Sequence, residues 1–198
     1  QPRLKQGNFW HKKIYPYQVW LDGLYMAQPF YMEYETRYNK MKGCFDSFSQ
    51  FENVEKLMKD ENTGLYYHGY DESRRSIWCD AKTGLSKNFW LRAIGWFILS
   101  LLDTALSIDE SLYYEYSRLK DMLNDLAASL LKYQDKSGMF YQLVNKPDDK
   151  RNYLETSGSA LISYTFLKGS RTGLLPKSFE NHGKRIFDGI LDKYLGRE

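Results

Sequence analysis

The sequence predicts an all-α fold: an arc of stacked helical hairpins amounting to about half of an (α/α)6 toroid, the six-hairpin barrel. Three observations predict it. Apolar residues at helical spacing dominate the 198-residue chain, in six separate runs. Two short segments between those runs match each other: NTGLYYHGY from Asn62 to Tyr70, and KSGMFYQLV from Lys136 to Val144. Each has a polar residue, a glycine, then apolar and aromatic residues, and each lies between two helical runs, a weak repeat of helix, extended turn and helix. No composition shift or linker divides the chain, so residues 1–198 read as one domain or part-domain of three hairpins.

The runs follow in order. Leu21 to Arg37 is the first helix, and Pro29 inside it is expected to kink it. Cys44 to Lys59 is the second, with Phe45, Phe48, Phe51, Val54, Leu57 and Met58. Asn88 to Leu106 is the third and the most apolar. Leu112 to Gln134 is the fourth, with Leu119, Met122, Leu123, Leu126, Leu130 and Leu131 as its buried stripe. Glu155 to Leu167 is the fifth, and the more polar Phe179 to Tyr194 the sixth. In a toroid the helices starting near Asp22, Trp90 and Thr156 are the inner ones. Their N-termini converge on one cleft, where helix dipoles favour anions.

Composition narrows the ligand. The net charge is only +3 and the basic residues are interspersed with acidic ones, which argues against a nucleic-acid partner. No apolar segment of about 20 residues is present to span a membrane as a helix. Aromatic residues are abundant, with 17 Tyr, 11 Phe and 5 Trp. Rings in such numbers build cores and also platforms for sugars. Cys44 and Cys79 read as two free buried thiols rather than a disulfide framework. The chain opens on QPRLKQGNFWHKK, with no signal peptide, and reads like the middle of a longer protein.

Four clusters fall on the expected rim, and each has two readings. Asp22 stands alone among Trp20, Leu21, Leu24, Tyr25 and Met26. It reads either as an N-cap of the following helix or as a carboxyl whose apolar surroundings fit it for proton transfer near neutral pH. His11 and His68 read as ordinary loop or hairpin residues, or as imidazoles that hydrogen-bond sugar hydroxyls. Trp90 and Trp96 read as core, or as stacking surfaces, and Arg92 between them as a surface charge or a carboxylate clamp. Thr156 and Ser157, after Glu155, read as helix-start residues or as rim hydroxyls. Together they form an inventory suited to an acidic sugar. No zinc-ligand spacing, P-loop, dinucleotide fingerprint or GxSxG occurs.

The segments FWHKKIYPYQVWLDGLYMAQPF, GLYYHGYDESR, FWLRAIGW and GMFYQLVN with NYLETSGSALISY lie in the order and spacing of the motifs of the unsaturated rhamnogalacturonyl hydrolases, glycoside hydrolase family 105. The unsaturated glucuronyl hydrolases of family 88 are a more distant likeness. The resemblance runs from about Asn8 to Leu175. It implies the (α/α)6 barrel, of which this would be about the C-terminal half. It also implies hydration of the 4,5 double bond of an unsaturated galacturonyl residue, a vinyl ether, followed by collapse of the hemiketal and release of the aglycone. By the resemblance Asp22 is the general acid/base. His11, Trp20, His68, Trp90, Arg92, Trp96, Thr156 and Ser157 then line the substrate pocket, no metal or organic cofactor takes part, and cleavage is cytoplasmic. The family's N-terminal half, which carries a second aspartate, is missing from the match. The chain is therefore expected to be a fragment or to pair with a second copy or a companion chain. Leu91 stands where the family usually has a small residue and is expected to narrow the pocket or tilt Arg92. Two other readings are an acidic-oligosaccharide binder without turnover and a helical-repeat protein that binds protein partners.

Overall fold

A computed structural model of the chain describes residues 1–196. Its elements are β1 (Gln18–Trp20), α1 (Leu21–Tyr38), α2 (Cys44–Met58), β2 (Gly69–Asp71), α3 (Leu91–Ser107), α4 (Tyr113–Leu131), α5 (Thr156–Thr172) and α6 (Phe179–Leu195). The helices pair as α1 with α2, α3 with α4 and α5 with α6. Helices α1, α3 and α5 also pack in series, α1 on α3 and α3 on α5, with the even-numbered helices behind them. This is the expected arc of three hairpins, with alternate helices on the inner side.

Packing explains the hydropathy of each element. The central helix α3 touches α1, α4 and α5, so Leu91, Ile94, Phe97, Ile98, Leu101 and Leu102 are all buried. Helix α1 continues through Pro29 as one element. Helix α3 begins at Leu91 rather than Asn88. Phe89 accepts from Val144 N, Trp90 bridges Leu143, and Leu91 N donates to Gln142 O, which holds the preceding residues extended. Helix α5 continues past Leu167 to Thr172 and stops at Gly173, whose φ of +77° is left-handed and suits glycine.

The extended connectors share one turn. At DENTGL, Asp60 Oδ2 accepts from Thr63 N, Gly64 N donates to Asp60 O, and Asp60 N donates to Leu65 O. The same bonds recur at DAKTGL around Asp80 and Gly84, and in shorter form at DKSGM around Asp135 and Gly138. All three glycines have positive φ. Each aspartate turn reverses the chain and sends it toward the start of an inner helix or the strand beside it. Cys44 and Cys79 are free and buried. Among the described residues no helix is long and apolar enough to cross a membrane.

Candidate active site

The first element of the site is a short ladder. Strands β1 and β2 run antiparallel with Gln18 opposite Asp71, Val19 opposite Tyr70 and Trp20 opposite Gly69. Leu21 N then donates to His68 O at 3.1 Å. The residue after β1 starts α1 and the residue before β2 is His68, so the ladder brings Asp22 and His68 to the same corner although 45 positions separate them in sequence. Asp22 lies in the first turn of α1. Trp20 holds the N-cap position with extended backbone and no capping side chain, so Asp22 does not act as the cap. Asp22 is half-buried rather than enclosed, and among the described residues its carboxylate makes no hydrogen bond. Its charge acts on both His11 and His68.

The two imidazoles are held differently. His68 Nδ1 lies 3.0 Å from Asn88 O; a carbonyl only accepts, so Nδ1 carries the proton and Nε2 is left as an acceptor. Burial pushes the His68 pKa down, opposed by the Asn88 carbonyl and by Asp22. His11 lies flat on Trp20, with ring centroids 4.6 Å apart and planes within 7°. Tyr15 stacks on Trp20 as well, at 5.2 Å. Burial also lowers the His11 pKa, against the pull of Asp22. Both rings are therefore neutral near pH 7 and suited to hydroxyl recognition.

On the other side of His68, Trp90 meets it edge to face at 5.4 Å, and the Arg92 guanidinium lies 4.7 Å over the Trp90 ring. Arg92 is in the first turn of α3 and has no acidic partner among the described residues. A guanidinium left so, beside a helix N-terminus, is suited to bind an anion. Leu91 is fully buried, and a Cβ added at Gly158 of α5 would come within 2.8 Å of its Cγ. It therefore points into the core rather than into the cleft, which corrects the expectation that it narrows the pocket.

The remaining residues are spread further. Trp96 packs on Tyr25 at 4.9 Å and, with Ser157, Asp103 and Tyr164, lines a cleft of about 550 Å³ between α1, α3 and α5. The Ser157 amide and hydroxyl both donate to Glu155, whose carboxylate caps α5 by also accepting from Gly158 N. Ser157 thus has the helix-start role as well as an exposed place on the cleft. The Thr156 hydroxyl bonds the Tyr194 hydroxyl at the end of α6 and stays apart from the Asp22 cluster. A second cavity, about 530 Å³, lies between the N-terminal segment and α1 and includes His11 and Trp20. Neither cavity is lined by Asp22, His68, Trp90 or Arg92; those four are half-buried.

Two contributors are absent from the sequence reading. Trp78 meets Trp20 edge to face at 6.3 Å and lies 6.3 Å from His68, closing the gap between them. Gln18 accepts from Trp20 Nε1 and donates to Ser76 Oγ, tying the indole to the Trp78 loop. That loop is anchored by Asp71, whose carboxylate accepts from Ser73 N and Ser76 N. A tryptophan stranded in the polar run ESRRSIW was the available signal.

A profile described as Glycosyl Hydrolase Family 88 matches residues 1–197. The chain belongs to that family. A solved structure described as a glycoside hydrolase of family 105 from C. acetobutylicum is 42% identical and superposes with a TM-score of 0.92, over 97% of this chain and 53% of that one. The unsaturated rhamnogalacturonyl hydrolase YesR of Bacillus subtilis is 29% identical over 194 residues, 96% of this chain and 53% of YesR. Protein Atu3128 of Agrobacterium fabrum is 34% identical over 175 residues, 86% of this chain and 73% of that protein. The family 88 chain thus spans about half the length of YesR and of the clostridial structure, and its likeness to the latter supports the six-hairpin architecture read from the helical repeat.

Proposed function

We propose that the chain carries the general acid/base and most of the uronate-binding wall of a hydrolase acting on 4,5-unsaturated galacturonyl disaccharides from rhamnogalacturonan. The observation that carries this reading is the Asp22 corner: a carboxylate without a hydrogen-bond partner whose charge reaches two neutral imidazoles, one of which meets the Trp90 ring that lies under Arg92. Arg92 would clamp the substrate carboxylate in bidentate fashion. His68 Nε2 would accept from a ring hydroxyl. Protonated Asp22 would give its proton to C4 of the vinyl ether, leaving positive charge at C5 that the ring oxygen shares. Water then adds at C5 while the Asp22 carboxylate takes its proton, and the hemiketal opens with release of the aglycone. One carboxyl acts first as acid and then as base, unlike the two-carboxylate arrangement of most glycosidases. The name of YesR supports the rhamnogalacturonyl substrate, and the two free thiols fit a reducing cytoplasm.

Asp22→Asn tests it. The variant should bind the unsaturated disaccharide nearly as the wild type does, while the ultraviolet absorbance of the conjugated double bond no longer decays. Persisting decay would remove Asp22 from the role. One observation favours a second reading, binding without turnover: the match covers only 53% of YesR. Saturable binding with no decay in the wild type would select it.

A further inference from the structure

Trp20 is a supporting ring. His11 and Tyr15 stack on it with centroids 4.6 and 5.2 Å away, and they lie 6.3 Å from each other within 17° of parallel. Rings on opposite faces of one indole are about 7 Å apart or more, so His11 and Tyr15 share a face. The Trp20 N–H donates to Gln18 Oε1 at 2.9 Å. Trp78 meets Trp20 at 86°, and among the described residues its own N–H has no hydrogen-bond partner.

The loop that carries Trp78 is fixed at both ends and in the middle. Asp71 pairs with Gln18 in the ladder, and Cys79 pairs with Ser86. The Asp71 carboxylate, on a residue 1% exposed, accepts from the amides of Ser73, Arg75 and Ser76 and from the Ser73 hydroxyl. Gln18 is buried as well and donates to Ser76 Oγ at 3.0 Å. Gly69 makes room for the ring. A Cβ there would stand 3.1 and 3.2 Å from Cη2 and Cζ3 of Trp78 and 3.6 Å from Cδ1 of Trp20. A buried carboxylate, a buried carboxamide and a bare backbone position thus set one half-buried indole 6.3 Å from His68. Support of this kind holds a ring in the one orientation that binding needs.

We propose that Trp78 is the stacking platform for the sugar attached to the uronate, with Gln18, Gly69 and Asp71 as its positioning residues; this rests on the hydrolase reading above. The unsaturated ring bears its carboxylate on C5 and its aglycone on C1. A site that takes the carboxylate at Arg92 therefore receives the second sugar away from the Trp90–Arg92 pair. The unsaturated ring is also terminal, so it enters first and the aglycone trails toward the mouth. Trp96 is one turn further along α3 than Arg92. Trp78 stands instead on the connector before α3, and His68 lies 6.3 Å from it and 5.4 Å from Trp90. An indole face accepts the C–H face of a pyranose, and its free N–H donates to a hydroxyl.

Steady-state kinetics on the protein that carries this chain test the proposal with two substrates: the unsaturated galacturonyl–rhamnose disaccharide and the methyl glycoside of the same unsaturated uronate. Trp78→Ala should raise the ratio of their KM values, disaccharide over methyl glycoside, about 3- to 10-fold, and Trp78→Phe should return most of it. Ser76→Ala cuts the Gln18 tether and leaves the ring in place; it should raise the same ratio about 2-fold, and it carries the test should Trp78→Ala fail to fold by circular dichroism. Ile77→Ala, beside Trp78 at a position 97% exposed, should leave both KM values unchanged. Equal rises for both substrates would make Trp78 a structural residue, and a ratio unmoved in Trp78→Ala and Ser76→Ala would remove it from the site; either result overturns this proposal alone. A wild type that neither binds nor consumes either substrate would overturn the hydrolase reading and this proposal with it.

Discussion

Gly23→Ala should separate the stability of this protein from the geometry of its site. A Cβ at position 23 would stand 2.9 Å from His11 Nδ1, too close for any real contact, while the next atoms of that ring are 3.8 and 3.9 Å away. The His11 backbone cannot retreat easily, because its N–H donates to Gln18 O at 2.7 Å. The ring must therefore swing away and lose its 4.6 Å stack on Trp20. Losing that stack costs about 0.5–1.5 kcal/mol. Replacing glycine inside α1 by alanine returns about 1 kcal/mol of helix propensity. The two nearly cancel, and the melting temperature should stay within about 3 °C of the wild type. The His11 titration should move instead. Burial now holds that imidazole below its ordinary 6.5, and a ring expelled to solvent should climb back toward it. With three histidines in the chain, a proton NMR titration resolves the shift. A melting temperature lowered by more than about 6 °C with an unchanged His11 titration would refute the reasoning, since the helix rather than the ring would have moved.

Other expectations concern binding, capping and pH. Arg92→Ala should raise KM about 10- to 150-fold, the loss of about 1.5–3 kcal/mol from a charged hydrogen bond, with kcat little changed; steady-state kinetics at saturating and limiting substrate would separate the two constants. Glu155→Ala removes the carboxylate that accepts from Ser157 N and Gly158 N, so thermal melts should show a loss of about 0.5–2 kcal/mol, partly restored by Glu155→Gln. His11 and His68 both have pKa values lowered by burial. The unfolded chain then binds more protons than the folded one below the ordinary value of 6.5, so stability is full above it and falls as pH drops toward the folded values. Urea midpoints measured from pH 7.5 downward should decline, and His68→Gln should flatten the decline.

What the sequence made legible was the part set by local periodicity. All six helices appear within a few residues of their predicted ranges, because each has an apolar stripe and five of them pack on only two neighbours or on one. The boundary errors were at the start of α3, where Phe89 and Trp90 are held extended by residues 142–144, and at the ends of α4, which stops at Leu131, and α5, which runs on to Thr172 and stops at Gly173. The aspartate turn was read twice through Gly64 and Gly138; the third, around Asp80, was hidden in a stretch with no flanking helix. Single site residues were legible as types in an unusual setting, as with Asp22 and Arg92. Their mutual placement was not, because the three-residue ladder that joins residues 18–20 to 69–71 has no periodic signal of its own. For the same reason Trp78 and Gln18 escaped notice, and Leu91 was assigned to the cleft although the helical turn faces it into the core.

The serial packing of α1 on α3 and α3 on α5 makes the chain mechanically one-dimensional. Each hairpin leans on its neighbours and on little else, so cohesion passes along the arc link by link, as in solenoid arrays. The central hairpin is held on two sides and the outer ones on one. Amide exchange should therefore be slowest in α3, where Phe97 and Ile98 are sealed, and should quicken toward α6. Fraying of α5 and α6 would release the Glu155 cap and the Thr156–Tyr194 bond while leaving the β1–β2 corner and Asp22 in place. The chemistry thus sits on the side of the arc that local opening at the chain's C-terminal end reaches last.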